Sequence, residues 1–345
     1  MSEPPSFERQ MSRRTLFAAG AGGLLLATSK TAVAAVQSVG TDYAQGPGPV
    51  ANSALFPGFK QSFVKTTGAT INTLVGGNGP PLLLIHGHPE SHVTWHKVAP
   101  RLAERFTVVL TDLRGYGDSG KPEGGDNHVN YSKRAMGNDQ VEVMQALGFA
   151  KFQAVGHDRG ARTLHRMMLD HPGAVTRGVV LDIAPTDEMY AATNQEFATR
   201  YFWWFFHTQT APLPETLINA ATEVYLRAHL DTQCATPGAI TPECYAEYYR
   251  AYRDPACVHA VCEDYRASVT IDMDHTRDDK GKKLSQPLYA LWGGKGTVGE
   301  MFDVVGLWKT KASDVRGQPL SCGHLVQEEA PEELLAALDG FLAAA

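Results

Sequence analysis

The sequence predicts an α/β protein with a mostly parallel sheet and an inserted helical cap. Short, continuous apolar runs alternate with helical patterns from residue 63 onward, which is typical of βαβ units. The alternation stops at residues 185–283, where the pattern is helical and rich in aromatic residues, with several prolines. We therefore expect a core made of residues 56–184 and 284–345, with residues 185–283 forming the cap.

Five apolar runs define the predicted strands of the core. Each is short and continuous, as expected of a strand that is buried on both faces of a parallel sheet. Helical patterns cover residues 131–147 and 161–170 between them. The five runs are Pro81–Ile85, Thr107–Thr111, Phe152–Val155, Gly178–Leu181 and Leu288–Trp292.

The composition favours a globular protein whose partner is not a nucleic acid. The chain has 345 residues, of which 43% are hydrophobic, and this is enough for one large core. Lys and Arg total 31 against 37 Asp and Glu, giving a formal net charge of −6 without a basic stripe. A nucleic-acid partner therefore has no electrostatic support. Separately, we expect neither a metal nor a cofactor.

Residues 1–34 have the pattern of a twin-arginine export signal. The stretch 12–17 reads SRRTLF, a Gly/Ala/Leu-rich run follows, and residues 32–34 read AVA. The apolar run is too short for a stable membrane span. We expect export to the periplasm, with Ala34 as a candidate cleavage site and residues 35–55 as a linker. The alternative is a disordered basic arm.

The five cysteines do not have the spacing of a metal site, because no CxxC pairs with a second CxxC or with a His pair. Cys234 and Cys244 are ten residues apart in a segment that contains prolines. In the periplasm this pair could be oxidised to a disulfide, or both could stay free thiols. The sequence leaves the two alternatives open.

The stretch Gly156–Gly160, which reads GHDRG, predicts a nucleophile elbow. Its two glycines flank Asp158 where an apolar strand turns into a helix, so the turn presents a carboxylate. His324 lies in the loop after the last strand, where a catalytic base is expected. The turn His86–Pro89 follows an earlier strand, at the place where this architecture supplies an oxyanion-hole N–H. Nucleophile and base therefore occur in the expected chain order.

The acid that orients the catalytic base is indicated less directly by the sequence than the nucleophile and the base are. Residues 293–298 occupy the usual position of the acid but contain no carboxylate. Asp182 follows the strand that precedes the cap, and we assign it the role of orienting His324. The alternative is that Asp182 caps the first helix of the cap.

Seven motifs along the chain point to one enzyme family. From about residue 59 to the end, the chain resembles the haloacetate dehalogenases of the α/β-hydrolase fold, the fluoroacetate dehalogenase family. The motifs are His86–Pro89 (HGHP), Asp112–Ser119 (DLRGYGDS), Tyr131–Met136 (YSKRAM), the GHDRG stretch, Ala211–Glu215 (APLPE), Cys262–Arg266 (CEDYR) and the pair Gly323 and His324.

The resemblance implies a role for each residue of the core. Asp158 would be the nucleophile, and His324 with Asp182 would activate water. Arg159 and Arg162, one helical turn apart, would hold the substrate carboxylate. Pairing along the surface of the helix is the alternative for the arginines, although it does not explain an Arg directly after the nucleophile. Backbone N–H groups near His88 and Arg159 would form the oxyanion hole.

The resemblance also implies a halide site made of Trp203, Trp204 and Tyr265. Here the chain departs from the family, which commonly has His where Trp203 stands. Indole N–H and phenol O–H groups can still donate to a halide. The alternative for both tryptophans is packing in the core of the cap.

The predicted function is hydrolysis of small anionic haloacetates and other 2-haloacids to the 2-hydroxy acid and halide, through an ester on Asp158. Epoxide hydrolysis is the runner-up, with Tyr190 or Tyr265 polarising the epoxide oxygen. A non-catalytic small-molecule receptor is a third reading. The intact set of Asp158, Asp182 and His324 argues against it. A homodimer is one assembly that the sequence allows.

Overall fold

The computed structural model describes residues 52–342, so the predicted export signal and residues 35–51 of the predicted linker lie outside the described residues. An eight-stranded sheet forms the centre, in the order β1-β2-β4-β3-β5-β6-β7-β8. Its strands are β1 (Lys60–Lys65), β2 (Thr70–Gly76), β3 (Pro81–Ile85), β4 (Thr107–Thr111), β5 (Phe152–His157), β6 (Val175–Leu181), β7 (Leu288–Gly293) and β8 (Val315–Leu320).

The pairing confirms the predicted α/β fold. Strands β3 to β8 pair in parallel, and β2 pairs antiparallel with both β1 and β4. The five predicted apolar runs all lie within β3 to β7. Residues of β5 are buried along its whole length, because the strand lies at the centre of the sheet with helices on its faces.

The prediction missed the two edge strands, β1 and β8, and also β2, which lies next to β1. β1 is almost entirely exposed, and β8 alternates between partly buried and exposed residues for most of its length. β2 is buried but contains polar Asn72 and Thr73. None of the three is a continuous apolar run, so a criterion based on such runs cannot find them.

Sixteen α-helices and two 3-10 helices (His92–Trp95 and Asp126–Tyr131) are described, and eight of the α-helices, α5 to α12, lie between β6 and β7 in the segment predicted to form the cap. They are α1 (Asn52–Leu55), α2 (Ala99–Leu102), α3 (Lys133–Ala146), α4 (Asp158–Asp170), α5 (Thr186–Ala191), α6 (Gln195–Arg200), α7 (Phe202–His207), α8 (Leu213–Ala220), α9 (Thr222–Gln233), α10 (Pro242–Tyr252), α11 (Pro255–Val269), α12 (Ile271–Asp278), α13 (Thr297–Met301), α14 (Val304–Lys311), α15 (Val326–Glu329) and α16 (Pro331–Asp339).

Local sequence explains where the long cap helices begin. The Thr241 hydroxyl accepts a hydrogen bond from the Cys244 N–H at the start of α10, and the Asp254 carboxylate accepts one at the start of α11. Proline occupies the first position of both helices, where its missing N–H costs nothing. Within residues 52–342, no helix is long and apolar enough to cross a membrane.

Candidate active site

The predicted nucleophile turn joins β5 to α4 with no intervening loop. β5 ends at His157 and α4 begins at Asp158, whose φ of 42° lies in the left-handed region. A side chain at Gly160 would place its Cβ 2.3 Å from the His86 carbonyl oxygen, so only glycine allows this close approach. The turn holds the Asp158 carboxylate at the carboxyl end of the sheet, where ligands bind in open α/β folds.

Asp158 is only 4% exposed but is surrounded by groups that favour its ionised form. Burial alone would raise the pKa of this carboxyl, yet His324, Arg162 and Arg159 outweigh it and the pKa lies below its usual value. The His88 N–H donates to Asp158 Oδ2 at 3.1 Å. The carboxylate is therefore ionised at neutral pH, as a nucleophile must be.

His324 and Asp182 form a buried pair. Asp182 Oδ2 lies 2.5 Å from His324 Nδ1, and Oδ1 accepts a hydrogen bond from the Gly293 N–H at 2.9 Å. Because a carboxylate only accepts, Nδ1 of the neutral imidazole carries the proton and Nε2 keeps a lone pair. Helix α5 has Pro185 at its N-cap, so Asp182 contacts the histidine rather than capping the cap's first helix.

His157, directly before the nucleophile, supports the loop of His324. Its Nε2 donates to the His324 carbonyl oxygen at 2.8 Å, and its Nδ1 lies 2.8 Å from Glu90 Oε2. Burial would lower the pKa of His157, but the adjacent Glu90 carboxylate raises it to about 9. Both ring nitrogens are therefore protonated, and this buried ion pair fixes the backbone that carries His324.

Arg159 is anchored by the cap residue Asp264. Its Nε and Nη2 donate to the Asp264 carboxylate at 2.9 and 2.8 Å, and Lys133 contacts the same carboxylate. Burial lowers the pKa of Arg159, but the pairing with Asp264 raises it well above its usual value. The third nitrogen, Nη1, is buried and has no hydrogen-bond partner among residues 52–342.

Arg162 is buried without a carboxylate bound to it. Its Nη1 donates to the Ala184 carbonyl and to Thr186 Oγ1, at 3.1 and 2.8 Å, and burial lowers its pKa. Nε has no partner within the described part of the chain. The alternative of a surface ion pair does not describe either arginine, since Arg162 is 4% exposed and Arg159 fully buried.

The predicted halide residues share a small cavity with Asp158 and His324, the predicted nucleophile and base. The cavity measures about 10 Å³, close to the space for one water molecule, and shares five residues with a cavity of about 570 Å³. The smaller cavity is lined by Asp158, Arg200, Tyr201, Trp203, Trp204, His229, Gln233, Tyr265 and His324.

Arg159 and Arg162 do not line this cavity themselves but contact two of the aromatic rings that line it. The Arg159 guanidinium stacks on the Tyr265 ring at 4.2 Å, and that of Arg162 stacks on Trp204 at 4.4 Å. Trp204 is 3% exposed and Tyr265 is 2% exposed. The cation–π contacts therefore connect the predicted carboxylate-binding groups with the predicted halide-binding groups.

Sequence reasoning missed several residues of the site. His229, Tyr201 and Gln233 line the cavity but carry no motif that would mark them. Asp264 lies inside the CEDYR motif, although its pairing with Arg159 could not be read from spacing. Tyr190, one of the tyrosines considered for epoxide chemistry, does not line the cavity: its hydroxyl contacts Ser268 Oγ at 3.3 Å, and its ring packs against Trp204 with centroids 4.9 Å apart.

The cysteines lie apart from this chemistry. Cys234 and Cys244 are both free thiols in the structure. One cluster in the described chain, His96, Cys244 and Glu328, has ligand atoms within 4.8 Å of one another, as a metal site requires. However, His96 Nδ1 already donates to the Val93 carbonyl, and the Tyr248 hydroxyl donates to Glu328. His96 and Glu328 thus already have hydrogen-bond partners within the protein.

A family model for the alpha/beta hydrolase fold matches residues 80–331. The chain therefore belongs to this family and is a hydrolase, as its motifs predict. It is 42% identical to a fluoroacetate dehalogenase from Burkholderia sp over 289 residues, which are 84% of this chain and 95% of that protein. It is 33% identical to a soluble epoxide hydrolase from Corynebacterium sp. (strain C12), over 77% of this chain and 91% of that one.

A solved structure of an alpha/beta hydrolase from Nostoc sp PCC 7120 superposes with a TM-score of 0.82. The two sequences are 53% identical, and the match covers 83% of this chain and 99% of the other. These relatives span nearly the whole length of the described chain, cap included.

Proposed function

We propose that the protein is a hydrolytic dehalogenase that converts haloacetates and other small 2-haloacids to the 2-hydroxy acid and halide. One observation carries the proposal: two buried guanidinium groups next to an ionised Asp158 each keep an N–H without a partner in the described chain. Arg159 Nη1 and Arg162 Nε are costly to leave unpaired. A substrate carboxylate would satisfy both and place its α-carbon near Asp158.

The first step is displacement at the carbon that bears the halogen. An Asp158 oxygen forms a bond to this carbon while the carbon–halogen bond breaks, and the halide leaves with the bonding electron pair. Trp204 and Tyr265 line the same cavity, and their indole N–H and hydroxyl groups would donate to the developing halide. The product of this step is an ester on Asp158.

The second step is hydrolysis of that ester. His324 Nε2 takes a proton from water, and the hydroxide attacks the ester carbonyl carbon. Two backbone N–H groups would hold the oxyanion. They are the backbone N–H of His88, which already lies 3.1 Å from Asp158 Oδ2, and the backbone N–H of Arg159. Collapse breaks the bond to the alkoxide, which takes the proton from His324 to give the hydroxy acid, and the Asp158 carboxylic acid releases its remaining proton to solvent to restore the carboxylate.

Epoxide hydrolysis is the second candidate, favoured by the Corynebacterium relative and by two tyrosines in the cavity. Tyr201 and Tyr265 both line it and could polarise an epoxide oxygen. This reading gives the unpaired N–H groups of Arg159 and Arg162 no role, because an epoxide carries no charge. We therefore place it second.

Incubation with chloroacetate and with styrene oxide tests the two readings in one experiment. We expect chloride release from chloroacetate and little diol from styrene oxide. Asp158→Asn should abolish turnover, because an amide is a poor nucleophile. Diol formation without halide release would establish the epoxide reading, and an active Asp158→Asn would remove Asp158 from the mechanism.

We also propose that the enzyme acts in the periplasm. This proposal is based on the SRRTLF stretch at residues 12–17, which lies outside the described residues. Cell fractionation of the full chain should recover it in the periplasm. Replacing Arg13 and Arg14 together with Lys should retain it in the cytoplasm. Equal distribution of both forms would contradict the proposal.

A further inference from the structure

His229 is a buried polar side chain to which the two-step mechanism gives no role. It lies on α9, is 3% exposed, and lines the cavity that contains Asp158, Trp204 and Tyr265. Its ring packs against Trp203, with centroids 4.7 Å apart. Its Nδ1 is buried and has no hydrogen-bond partner among the residues described.

The neighbouring Gln233 determines which nitrogen of His229 carries the proton. The side-chain amide nitrogen of Gln233 lies 2.6 Å from His229 Nε2. An amide NH2 group can only donate, so Nε2 accepts. Burial and then the neighbouring His207 and His324 hold the pKa of His229 well below its usual value, and the ring is neutral. The single proton therefore sits on Nδ1, as a donor without an acceptor.

Two other histidines nearby use their donors within the protein. His207 Nδ1 donates to the Trp203 carbonyl, so His207 Nε2 accepts from the Tyr225 hydroxyl at 2.6 Å. Tyr225 then accepts from His88 Nε2 at 2.9 Å, and His88 Nδ1 accepts from Tyr252. Both rings are neutral, since burial lowers their pKa values. Of these three histidines, His229 is the one with an N–H left over.

We propose that the Nδ1–H of His229 donates to the leaving halide, beside Trp204 and Tyr265. This inference rests on the proposed dehalogenase function. A neutral N–H in a desolvated cavity stabilises an anion by donating a hydrogen bond. Because it carries no charge, it does not repel the cationic Arg159 and Arg162 near Asp158. It should matter most for fluoride, the smallest and most strongly hydrated halide, and least for bromide.

Three substitutions at His229 separate a donor from packing. His229→Phe keeps a ring and removes the N–H, and we expect kcat/KM for fluoroacetate to fall about 10- to 100-fold, the range for one hydrogen bond to an ion. Bromoacetate should lose less than about threefold, since bromide leaves more easily. His229→Asn places an amide NH2 near the position of Nδ1 and should recover much of the loss. His229→Gln places it near Nε2 and should not.

Bromide titration gives a readout that does not depend on turnover. In the Asp158→Asn background, we expect bromide to change tryptophan fluorescence, because Trp203 and Trp204 line the cavity. A bound bromide ion carries a full charge, whereas bromide in the transition state is still leaving and carries less, so adding His229→Phe should weaken bromide binding about tenfold, and adding His229→Asn should restore it. Circular dichroism and thermal melting of each variant establish that it is folded.

The outcomes separate the two proposals. No halide release from any haloacetate, together with bromide binding that depends on His229, rejects the dehalogenase but keeps the anion donor. Equal losses on fluoroacetate and bromoacetate, or a folded His229→Asn that behaves like His229→Phe, would show that His229 only packs and would overturn the inference.

Discussion

The candidate active site has a core half and a cap half, and the two differ in how their polar groups are satisfied. In the core half, Asp158, Asp182 and His324 lie at the ends of strands or in the loop after β8, and each has a defined hydrogen-bond or ionic partner. The residues of the cap half lie on α7, α9 and α11 and mainly contact aromatic or histidine rings. They are Trp203, Trp204, His229 and Tyr265.

Under the proposed function, the difference separates the residues that make and break bonds from those that select the substrate. Fixed hydrogen bonds hold the proposed nucleophile and base, so their geometry should change little when the cap sequence changes. Ring contacts tolerate replacement, because aromatic side chains of similar size can pack in the same space. Arg159 and Arg162 join the two halves, since each leaves the core helix α4 and stacks on a ring of the cap.

The largest effect is expected in the core half, from His324→Gln. This variant keeps the Asp158 nucleophile, so the first displacement still occurs, but no base remains to activate water. We expect steady-state turnover to fall by at least about 1,000-fold, toward the upper end of what general base catalysis contributes. Mass spectrometry of the peptide that contains Asp158 should show an adduct of the substrate minus its halide.

Asp182→Asn is the matched variant for this experiment. It leaves His324 in place but removes the carboxylate that orients it, so some hydrolysis remains and the ester should accumulate to a lower level than in His324→Gln. An adduct on any residue other than Asp158 in either variant would contradict the assignment of the nucleophile.

An intermediate effect is expected where the two halves meet, at Arg162. Replacement by Met should lower kcat/KM for chloroacetate about 100-fold, because one charge-assisted bond to the substrate carboxylate is lost. Folding should be destabilised by only about 1–3 kcal/mol, because Arg162 donates to the Ala184 carbonyl and to Thr186 Oγ1 but pairs with no carboxylate by hydrogen bonds. Arg159→Met should lower kcat/KM similarly and also destabilise folding by about 3–5 kcal/mol, because it leaves Asp264 without its main partner.

Arg166→Met is a suitable control for helix α4. Arg166 pairs with Asp170 and Asp279 and does not line the catalytic cavity, so its loss should affect melting more than kcat/KM. If Arg162→Met lowers activity on styrene oxide as much as on chloroacetate, Arg162 is a structural residue and the epoxide reading gains.

The core half could be predicted from the sequence because local signals specify it. Gly156 and Gly160 mark the turn of Asp158, and strand ends mark Asp182 and His324. The pairing of Arg159 with Asp264 could not be predicted, since more than 100 residues separate them and only the packing of the cap brings them together. His229 carries no local signal either. Its Nδ1–H is identified as a free donor because Gln233 pairs with Nε2 and no described side chain pairs with Nδ1.

The smallest effects are expected in the cap half and concern the choice of halogen. Chloride and bromide leave more easily than fluoride and need fewer short donors, so the wild type should turn over chloroacetate or bromoacetate faster than fluoroacetate. Trp204→Phe and Tyr265→Phe each remove one donor and keep most of the apolar volume, and we expect about tenfold losses on every haloacetate.

Trp203→His tests whether the half-buried Trp203 belongs to the halide site or only packs against His229 and Tyr225. An imidazole at this position adds a compact donor, so the ratio of fluoroacetate to chloroacetate turnover should rise. Halide release by the wild type and the three variants on the three haloacetates measures this ratio directly. A wild type that prefers fluoroacetate, or an unchanged ratio in Trp203→His, would assign Trp203 to packing and leave the donors to Trp204, Tyr265 and His229.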